Sequence, residues 1–306
     1  MMGSRVRAAH VVKACCLVVA VFAGASPAEE EREVPRTMAE VLEAASPAEW
    51  RTPDPGDTVY LELATGRVVI ELAPEFAPQH VANIRTLLRA GYFDGSMIVR
   101  SQDNYVVQWG RTESDPGDPG KAKASLPGEY SRPVRSDLSF TPLPDADSYA
   151  PETGFSGGFP VARDPRSGTA WLIHCYGMVG AGRDLAADSG SGAELYTVIG
   201  HAPRHLDRNV TLVGRVIAGI ERLSVLPRGT GPLGFYERAE EFVPIVAARL
   251  AADTPVGERT VIELLRTDSA SFAAVIRARR ERHEAWFLEP TGRIEVCNVP
   301  LPARVR

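Results

Sequence analysis

Three side chains in one short stretch, residues 97–110, have types and spacing suited to binding a peptide backbone. Arg100, Tyr105 and Gln108 are separated by five and three positions in an otherwise apolar run that ends at Gly110. A guanidinium is a rigid, charged fork of donors, and an amide both donates and accepts hydrogen bonds. With an aromatic ring, these groups could hold a backbone carbonyl beside an apolar ring. They are not the groups of a nucleophilic or metal site.

The elements expected to position this stretch are short strands and a helix. Residues 59–63 and 68–72 each alternate apolar side chains with other types, which predicts a hairpin with one buried face. Pro78 begins a helix with one apolar stripe, and Gly91 ends it. Residues 242–250 predict a final strand. The pattern indicates a β-rich domain with local antiparallel pairing.

Short motifs also follow one another in a fixed order between residues 57 and 226. They lie at 66–72, 77–88, 91–95, 100, 108–110, 177–179, 192–196 and 206–216. In this order the motifs resemble those of the cyclophilin-type peptidyl-prolyl isomerases. The resemblance implies a mainly β fold, a closed eight-stranded antiparallel barrel capped by two helices. The second of these helices is expected over residues 218–226.

The chemistry that the resemblance implies is rotation about an X–Pro bond, whose barrier is loss of amide resonance, about 18–20 kcal/mol. No covalent step, cofactor or metal is required. Arg100 would donate to the prolyl carbonyl and to the nitrogen as it becomes pyramidal, and Gln108 would hold the rotating backbone. Tyr105 completes the expected catalytic set. The expected substrate-binding residues are Val106, Val179, Glu194, Tyr196, His205 and Leu206.

Several of these positions depart from the residues usual in the family. Tyr105 and Tyr196 stand where phenylalanine is common, so each hydroxyl needs a partner or contact with water. Glu194 stands where glutamine is usual, and its charge would alter peptide preference. The remaining departures replace a methionine, a small residue, a large aromatic residue and a histidine, at Val106, Val179, His205 and Val210. We therefore expect an isomerase with modest or altered activity.

The first 28 residues have the pattern of a secretory signal peptide. Arg5, Arg7 and Lys13 precede a short apolar run that ends in small residues. An uncleaved anchor is the alternative. Removing the segment leaves 31 basic against 39 acidic residues, a net charge of −8, which disfavours nucleic acid as a partner. We expect an exported, periplasmic protein that acts on proline-containing segments of client proteins.

Two cysteines remain after the signal segment, Cys175 and Cys297. In an oxidising compartment they could form a disulfide, or they could be two buried free thiols. His201 and His205 are four positions apart, but Pro203 between them argues against a shared helix face, so no metal site is expected. The basic run at 277–283 is interpreted as a solvated helix face, without peripheral membrane contact.

Composition divides the chain into four parts. Residues 1–28 are the predicted signal peptide, and 29–56 are a linker with a short helix whose N-cap is Thr37. Residues 57–252 are the cyclophilin-like domain, with a Pro- and Gly-rich insert at about 131–169, and 253–306 are a small α/β appendix.

The insert is longer than a normal connection, so it is functional or mobile, either a lid or partner surface near the groove or a decoration without a role. In the appendix the pattern predicts a helical turn at 260–265, an amphipathic helix at 271–287 and a strand at 293–299.

Three functions remain open from the sequence. The first is an isomerase that acts on unfolded or extended exported proteins. The second is a peptide-binding chaperone that uses the same groove with little turnover. The third is an assembly subunit whose insert and appendix make the contacts. Retention of both Arg100 and Gln108 favours the first.

Overall fold

Strands dominate the part of the chain that the computed structural model describes, residues 36–136 and 138–306. In chain order they are β1 (Trp50–Arg51), β2 (Thr58–Leu63), β3 (Gly66–Leu72), β4 (Met97–Ser101), β5 (Val106–Gly110), β6 (Arg132–Pro133), β7 (Thr141–Pro142), β8 (Glu152–Ser156), β9 (Phe159–Asp164), β10 (Thr169–Leu172), β11 (Met178–Ala181), β12 (Leu195–Val198), β13 (Leu212–Ala218), β14 (Val243–Leu250), β15 (Ile262–Leu265) and β16 (Ala303–Val305). The helices are α1 (Met38–Ala44), α2 (Pro78–Arg89), α3 (Glu221–Ser224) and α4 (Ala270–Glu281). The predicted signal peptide lies outside the described residues.

A closed barrel of eight strands forms the centre of the fold. Its strands follow the order β11-β12-β5-β4-β14-β2-β3-β13, and each neighbouring pair is antiparallel. The predicted barrel is therefore confirmed. Alternation places one apolar set of each strand inside, where Leu61, Ile70, Ile98, Trp109 and Val213 are all buried.

Two helices pack on the barrel core. α2 buries its predicted stripe, including Val81, Ile84 and Leu87, and ends before Gly91, which has a φ of 67°. The second helix is one turn, α3, instead of the predicted 218–226. Pro227 disfavours helical geometry for the residue before it, which limits the helix at this end.

The hairpin of β2 and β3 is buried on both faces, so the prediction of a single buried face is wrong. Leu61 faces the barrel core, whereas Tyr60 and Val69 on the other face pack against Ile262 and Leu264 of β15. The outer face of this hairpin is covered because β15 belongs to a second sheet, ordered β1-β15-β16.

The insert forms a sheet of five strands, ordered β6-β10-β9-β8-β7. Gly157 and Gly158 join β8 to β9 as a two-residue turn in which both residues have positive φ, the geometry that Gly-Gly favours in hairpins. The sheet packs with α4 and α1 in a second core. There the ring of Phe155 meets that of Phe272 edge-on, with 5.1 Å between centroids.

The predicted elements of the appendix differ from the observed ones. Residues 260–265 contain strand β15 instead of a helical turn, because residues distant in the chain, in β1 and β16, pair with it. α4 ends at Glu281, and Arg282 follows with a φ of 48°, which leaves Trp286 82% exposed and off the predicted stripe. Residues 293–299 contain a one-turn 3-10 helix, and the last strand is β16.

The predicted N-cap of α1 is confirmed, and of the two alternatives for the cysteine pair the structure has the disulfide. The Thr37 hydroxyl accepts from the Glu40 amide while the Glu40 carboxylate accepts from the Thr37 amide, a capping box for α1. Cys175 and Cys297 form a disulfide, with their Cα atoms 5.0 Å apart. Within residues 36–136 and 138–306, no helix is long and apolar enough to cross a membrane.

Candidate active site

The outer face of β5, β12 and β11 carries the residues around Gln108. Gln108 is opposite Tyr196 on β12, and Tyr196 is opposite Gly180 on β11. Arg100 on β4 is opposite Gln108 on the other side. Because side chains alternate along a strand, these residues share the face that points away from the barrel core.

A groove with a volume of about 190 Å³ lies over this face. The described residues that line it are Arg100, Tyr105, Val106, Gln108, Gly182, Arg183, Tyr196, Leu206 and Val210. The structure therefore brings together the three expected catalytic residues and three of the six expected substrate-binding residues. None of the described insert residues lines the groove.

Arg100 is held by three hydrogen bonds from its guanidinium. Nε donates to the Leu233 carbonyl at 2.7 Å, Nη1 donates to Gln108 Oε1 at 3.1 Å, and Nη2 donates to Gln102 Oε1. The rings of Phe235 and Tyr105 lie 5.1 and 5.5 Å from its Cζ atom. Burial lowers the pKa of Arg100, but Tyr105 and Glu194 oppose this effect. Since a guanidinium has five N–H donors, two remain for a ligand in the groove.

Gln108 links Arg100 to Glu194. Its Oε1 accepts from Arg100, and its Nε2 donates to Glu194 Oε1. Donor and acceptor on opposite sides fix the orientation of the amide. Part of the Glu194 side chain reaches solvent, but its carboxyl lies against Gly182. Partial burial of the carboxyl and the charge of Asp184 raise the pKa of Glu194, and Arg100 opposes that rise.

Tyr196 is a wall of the groove whose hydroxyl is bound from below. The hydroxyl is 2.9 Å from His174 Nε2, and His174 Nδ1 is 2.9 Å from Asp207 Oδ1. Asp207 in turn accepts from Arg204 Nε at 2.6 Å, and Arg204 donates two bonds to Asp147 of the insert. Tyr196, His174, Asp207 and Arg204 form a buried polar chain that connects the groove to Asp147 of the insert.

The protonation of this chain follows from its burial. Desolvation lowers the pKa of His174, which is fully buried, although Asp207 opposes the shift. His174 is therefore neutral at pH 7, with Nδ1–H donated to Asp207 and Nε2 accepting from the Tyr196 hydroxyl. Burial also raises the pKa of Tyr196, so its hydroxyl keeps its proton. The sequence indicates that this hydroxyl needs a partner, but not that His174 is that partner.

The ring of Tyr196 lies across Gly180. A Cβ atom at Gly180 would be 2.3 Å from Tyr196 Cζ, closer than real contacts allow. Glycine at this position therefore makes room for the groove wall.

Three expected substrate-binding residues do not line the groove. The prediction for Val179 is wrong, because Val179 is one position out of phase with Gly180 and points into the barrel core. His205 is exposed and stacks on Tyr105, with ring centroids 6.4 Å apart and planes 10° apart. Glu194 supports the groove through Gln108. Among the described residues, no group of three or more His, Cys, Asp or Glu side chains could hold a metal ion.

The barrel matches a known protein family. A family model described as cyclophilin type peptidyl-prolyl cis-trans isomerase/CLD matches residues 58–249, more than half of the chain. The chain belongs to this family. The matched region contains every barrel strand except the final residue of β14, together with the whole groove.

Individual relatives agree with this membership. A probable peptidyl-prolyl cis-trans isomerase of Brucella suis is 24% identical over 202 residues, which is 66% of this chain and 86% of the relative. The human peptidyl-prolyl cis-trans isomerase-like 1 is 33% identical over 101 residues, which is 33% of this chain and 56% of the human protein. The chain thus spans little more than half the length of that relative.

A solved structure also resembles this cyclophilin fold. The crystal structure of the cyclophilin AquaCyp293 from Hirschia baltica superposes with a TM-score of 0.67 at 26% identity. The match covers 89% of this chain and 98% of that one, and therefore extends beyond the residues of the family match.

Proposed function

We propose that the chain is a peptidyl-prolyl cis-trans isomerase whose substrate is an extended X–Pro segment bound in the groove. The observation that carries the proposal is the row Arg100–Gln108–Glu194. This row presents a charged fork and an oriented amide beside the apolar walls formed by Val106 and Tyr196. The family membership supports the same reaction.

In the proposed mechanism, the groove lowers the barrier by binding the twisted amide more tightly than either planar form. The two donors left on Arg100 bind the prolyl carbonyl, and they favour the pyramidal nitrogen that appears as resonance is lost. Gln108 holds the backbone on the rotating side, while Tyr196 and Val106 hold the proline ring. Rotation forms and breaks no covalent bond, so no proton has to be transferred.

The clients that we propose are proline-containing segments of exported proteins in the periplasm. Two observations support this compartment. Residues 1–28 have the composition of a signal peptide, and the fold contains a disulfide, a bond typical of oxidising environments.

The decisive experiment is an exchange assay by NMR on a short X–Pro peptide, with the wild-type protein, Arg100→Ala and Arg166→Ala. Arg166 is exposed on the insert and serves as a matched control. Removing one transition-state donor should lower kcat/KM about 10²-fold in Arg100→Ala, with no change in Arg166→Ala.

Equal rates for the wild type and Arg100→Ala would reject the proposed mechanism. If the wild type binds the peptide without accelerating exchange, the groove belongs instead to a peptide-binding chaperone or assembly module.

A further inference from the structure

A second cavity, of about 240 Å³, lies outside the barrel wall and shares no lining residue with the groove. Its inner wall is the outer face of the barrel, with Met178 and Arg215. The insert contributes Phe155, and the C-terminal segment contributes Cys297 and Leu301. Tyr176, which is 49% exposed, stands at the rim.

Arg215 is the charged group of this cavity, and it is only 7% exposed. Its guanidinium makes no hydrogen bond to any described residue, and its Nε is buried without a partner. The nearest carboxylate oxygen, from Glu71, is 3.8 Å from Nε, and the centroid of the Phe159 ring is 6.0 Å from Cζ. Donors of a buried guanidinium that lack a protein acceptor favour a ligand that can accept their hydrogen bonds.

The charges around Arg215 do not balance. Arg51 already occupies both oxygens of Glu71, with bonds of 2.6 and 3.0 Å, and donates a third bond to the Gly157 carbonyl. One carboxylate therefore faces two guanidiniums, which leaves one positive charge at the cavity. Burial lowers the pKa of Arg215 to about 10, opposed by Glu71, so the group is still charged at neutral pH.

We propose that this cavity binds a carboxylate carried on a short apolar group, and that Arg215 is its anion-binding residue. The planar fork matches a carboxylate in a bidentate geometry. The single uncompensated charge matches a monoanion. Phe155, Met178 and Leu301 supply apolar walls, and 240 Å³ is space for roughly eight groups of the size of a water molecule, at about 30 Å³ each.

The first test is thermal unfolding and calorimetric titration with octanoate, using the wild-type protein and Arg215→Met. Methionine retains much of the side-chain length without charge, and the Arg51–Glu71 pair stays intact. Octanoate should raise the Tm of the wild type, and the Kd for octanoate should be at least about tenfold higher in Arg215→Met. Octanol, which lacks the charge, should not discriminate between the two proteins.

Arg277→Met is the matched control, because Arg277 is exposed on α4 and its loss changes the net charge equally. Arg277→Met should bind octanoate like the wild type. If Arg215→Met does not fold, Arg215→Lys replaces it, with weaker binding expected because the fork is lost. The same affinity in the wild type and the Arg215 variant, or no binding to the wild type, overturns the proposal.

The source of the carboxylate is separated by a second pair of ligands. A hexapeptide that ends in a leucine carboxylate is compared with its C-terminal amide, and both are compared with octanoate. If the free-acid peptide binds more tightly than both its amide and octanoate, the natural ligand is a protein C-terminus. If octanoate binds more tightly than the free-acid peptide, the natural ligand is a small carboxylate. Arg100→Ala should leave all of these affinities unchanged, so the outcome is independent of isomerase activity.

Discussion

The guanidinium of Arg100 enters the groove already oriented, because Leu233, Gln108 and Gln102 each accept one of its hydrogen bonds. A donor that is fixed before the ligand arrives loses little rotamer entropy on binding. Preorganised donors are also the most effective in stabilising charge in a transition state. The residue expected from its type and spacing is therefore also held in a fixed position.

Glu194 gives the groove a pH dependence that can be measured. Partial burial raises its pKa, so its carboxylate takes up a proton at a higher pH than an ordinary glutamate. Below that pKa, the negative charge that supports Gln108 and Arg100 is lost. We expect kcat/KM to fall as the pH drops through a value above 4.5, and Glu194→Gln should lack this limb. Identical pH–rate profiles for the two proteins would contradict this role.

Gly180→Ala should act on the groove through Tyr196. The added Cβ would meet the ring at 2.3 Å, so the ring has to move and the proline pocket changes shape. We expect a higher KM and a loss of about 1–3 kcal/mol in the free energy of unfolding. Gly257→Ala is the control, since a Cβ there meets nothing within 4 Å. Equal KM values for the two variants would show that Tyr196 does not depend on Gly180.

Residue type and spacing explain which site residues could be predicted, and alternation along a strand explains the error at Val179. Arg100 and Gln108 were predicted because residue type and spacing carry their chemistry, whereas Tyr196 was predicted from the family resemblance. Val179 was misplaced because neighbouring residues of a strand point to opposite faces, and matching a motif does not show which of two neighbours faces the groove. His174 could not be predicted, because its partner Tyr196 is 22 positions away.

At the scale of elements, the chain of Tyr196, His174, Asp207 and Arg204 ties β12 to the turn before β13 and to the insert. Because the side chains of all four residues are buried, removal of one member leaves another without a partner. The insert is therefore joined to the groove wall by this chain, although no described insert residue lines the groove.

The lowered pKa of His174 makes stability depend on pH. Below about pH 6.5 the unfolded chain binds a proton at His174 that the folded protein does not bind. Stability should therefore fall with decreasing pH, by at most about 1.4 kcal/mol per pH unit from this residue. Urea unfolding at pH 7.5 and 5.5 should show a larger loss for the wild type than for His174→Gln. An equal loss would mean that His174 is protonated in the fold.

Elements with local partners were predictable, and elements with distant partners were not. The hairpin of β2 and β3 and helix α2 follow from patterns within one stretch of chain. β15 pairs with residues 50–51 and 303–305, which no local pattern reveals. The Gly157-Gly158 turn is a hairpin signal that was present in the sequence and overlooked within a Pro-rich insert.

At the scale of the whole molecule, the second core joins segments from both ends of the chain and from the middle. α1, the insert sheet, α4 and the C-terminal segment pack on the outside of the barrel, and the disulfide fixes the last of these to the loop before β11. The predicted appendix thus shares its apolar core with the insert.

Loss of the disulfide should destabilise this assembly. Cys175 and Cys297 are 122 positions apart, and closing so long a loop restricts the unfolded chain strongly. We expect Cys175→Ser with Cys297→Ser to lower the free energy of unfolding by about 2–4 kcal/mol. A reducing agent should lower the free energy of unfolding of the wild type by a similar amount and leave that of the double variant unchanged. If reduction does not change the free energy of unfolding of the wild type, the disulfide does not stabilise the fold.

The barrel is closed by pairing between its first and last strands, β2 and β14, and this limits when it can form during synthesis. Val59 pairs with Leu250, so the first barrel strand to leave the ribosome waits for the last one, and Cys175 waits for a thiol 122 residues later. At about 5–20 residues per second, Leu250 follows Val59, which is 191 positions earlier, by roughly 10–38 s. During that time the β2 edge stays open to other strands. Closure of this barrel is therefore an event that follows translation of almost the entire polypeptide.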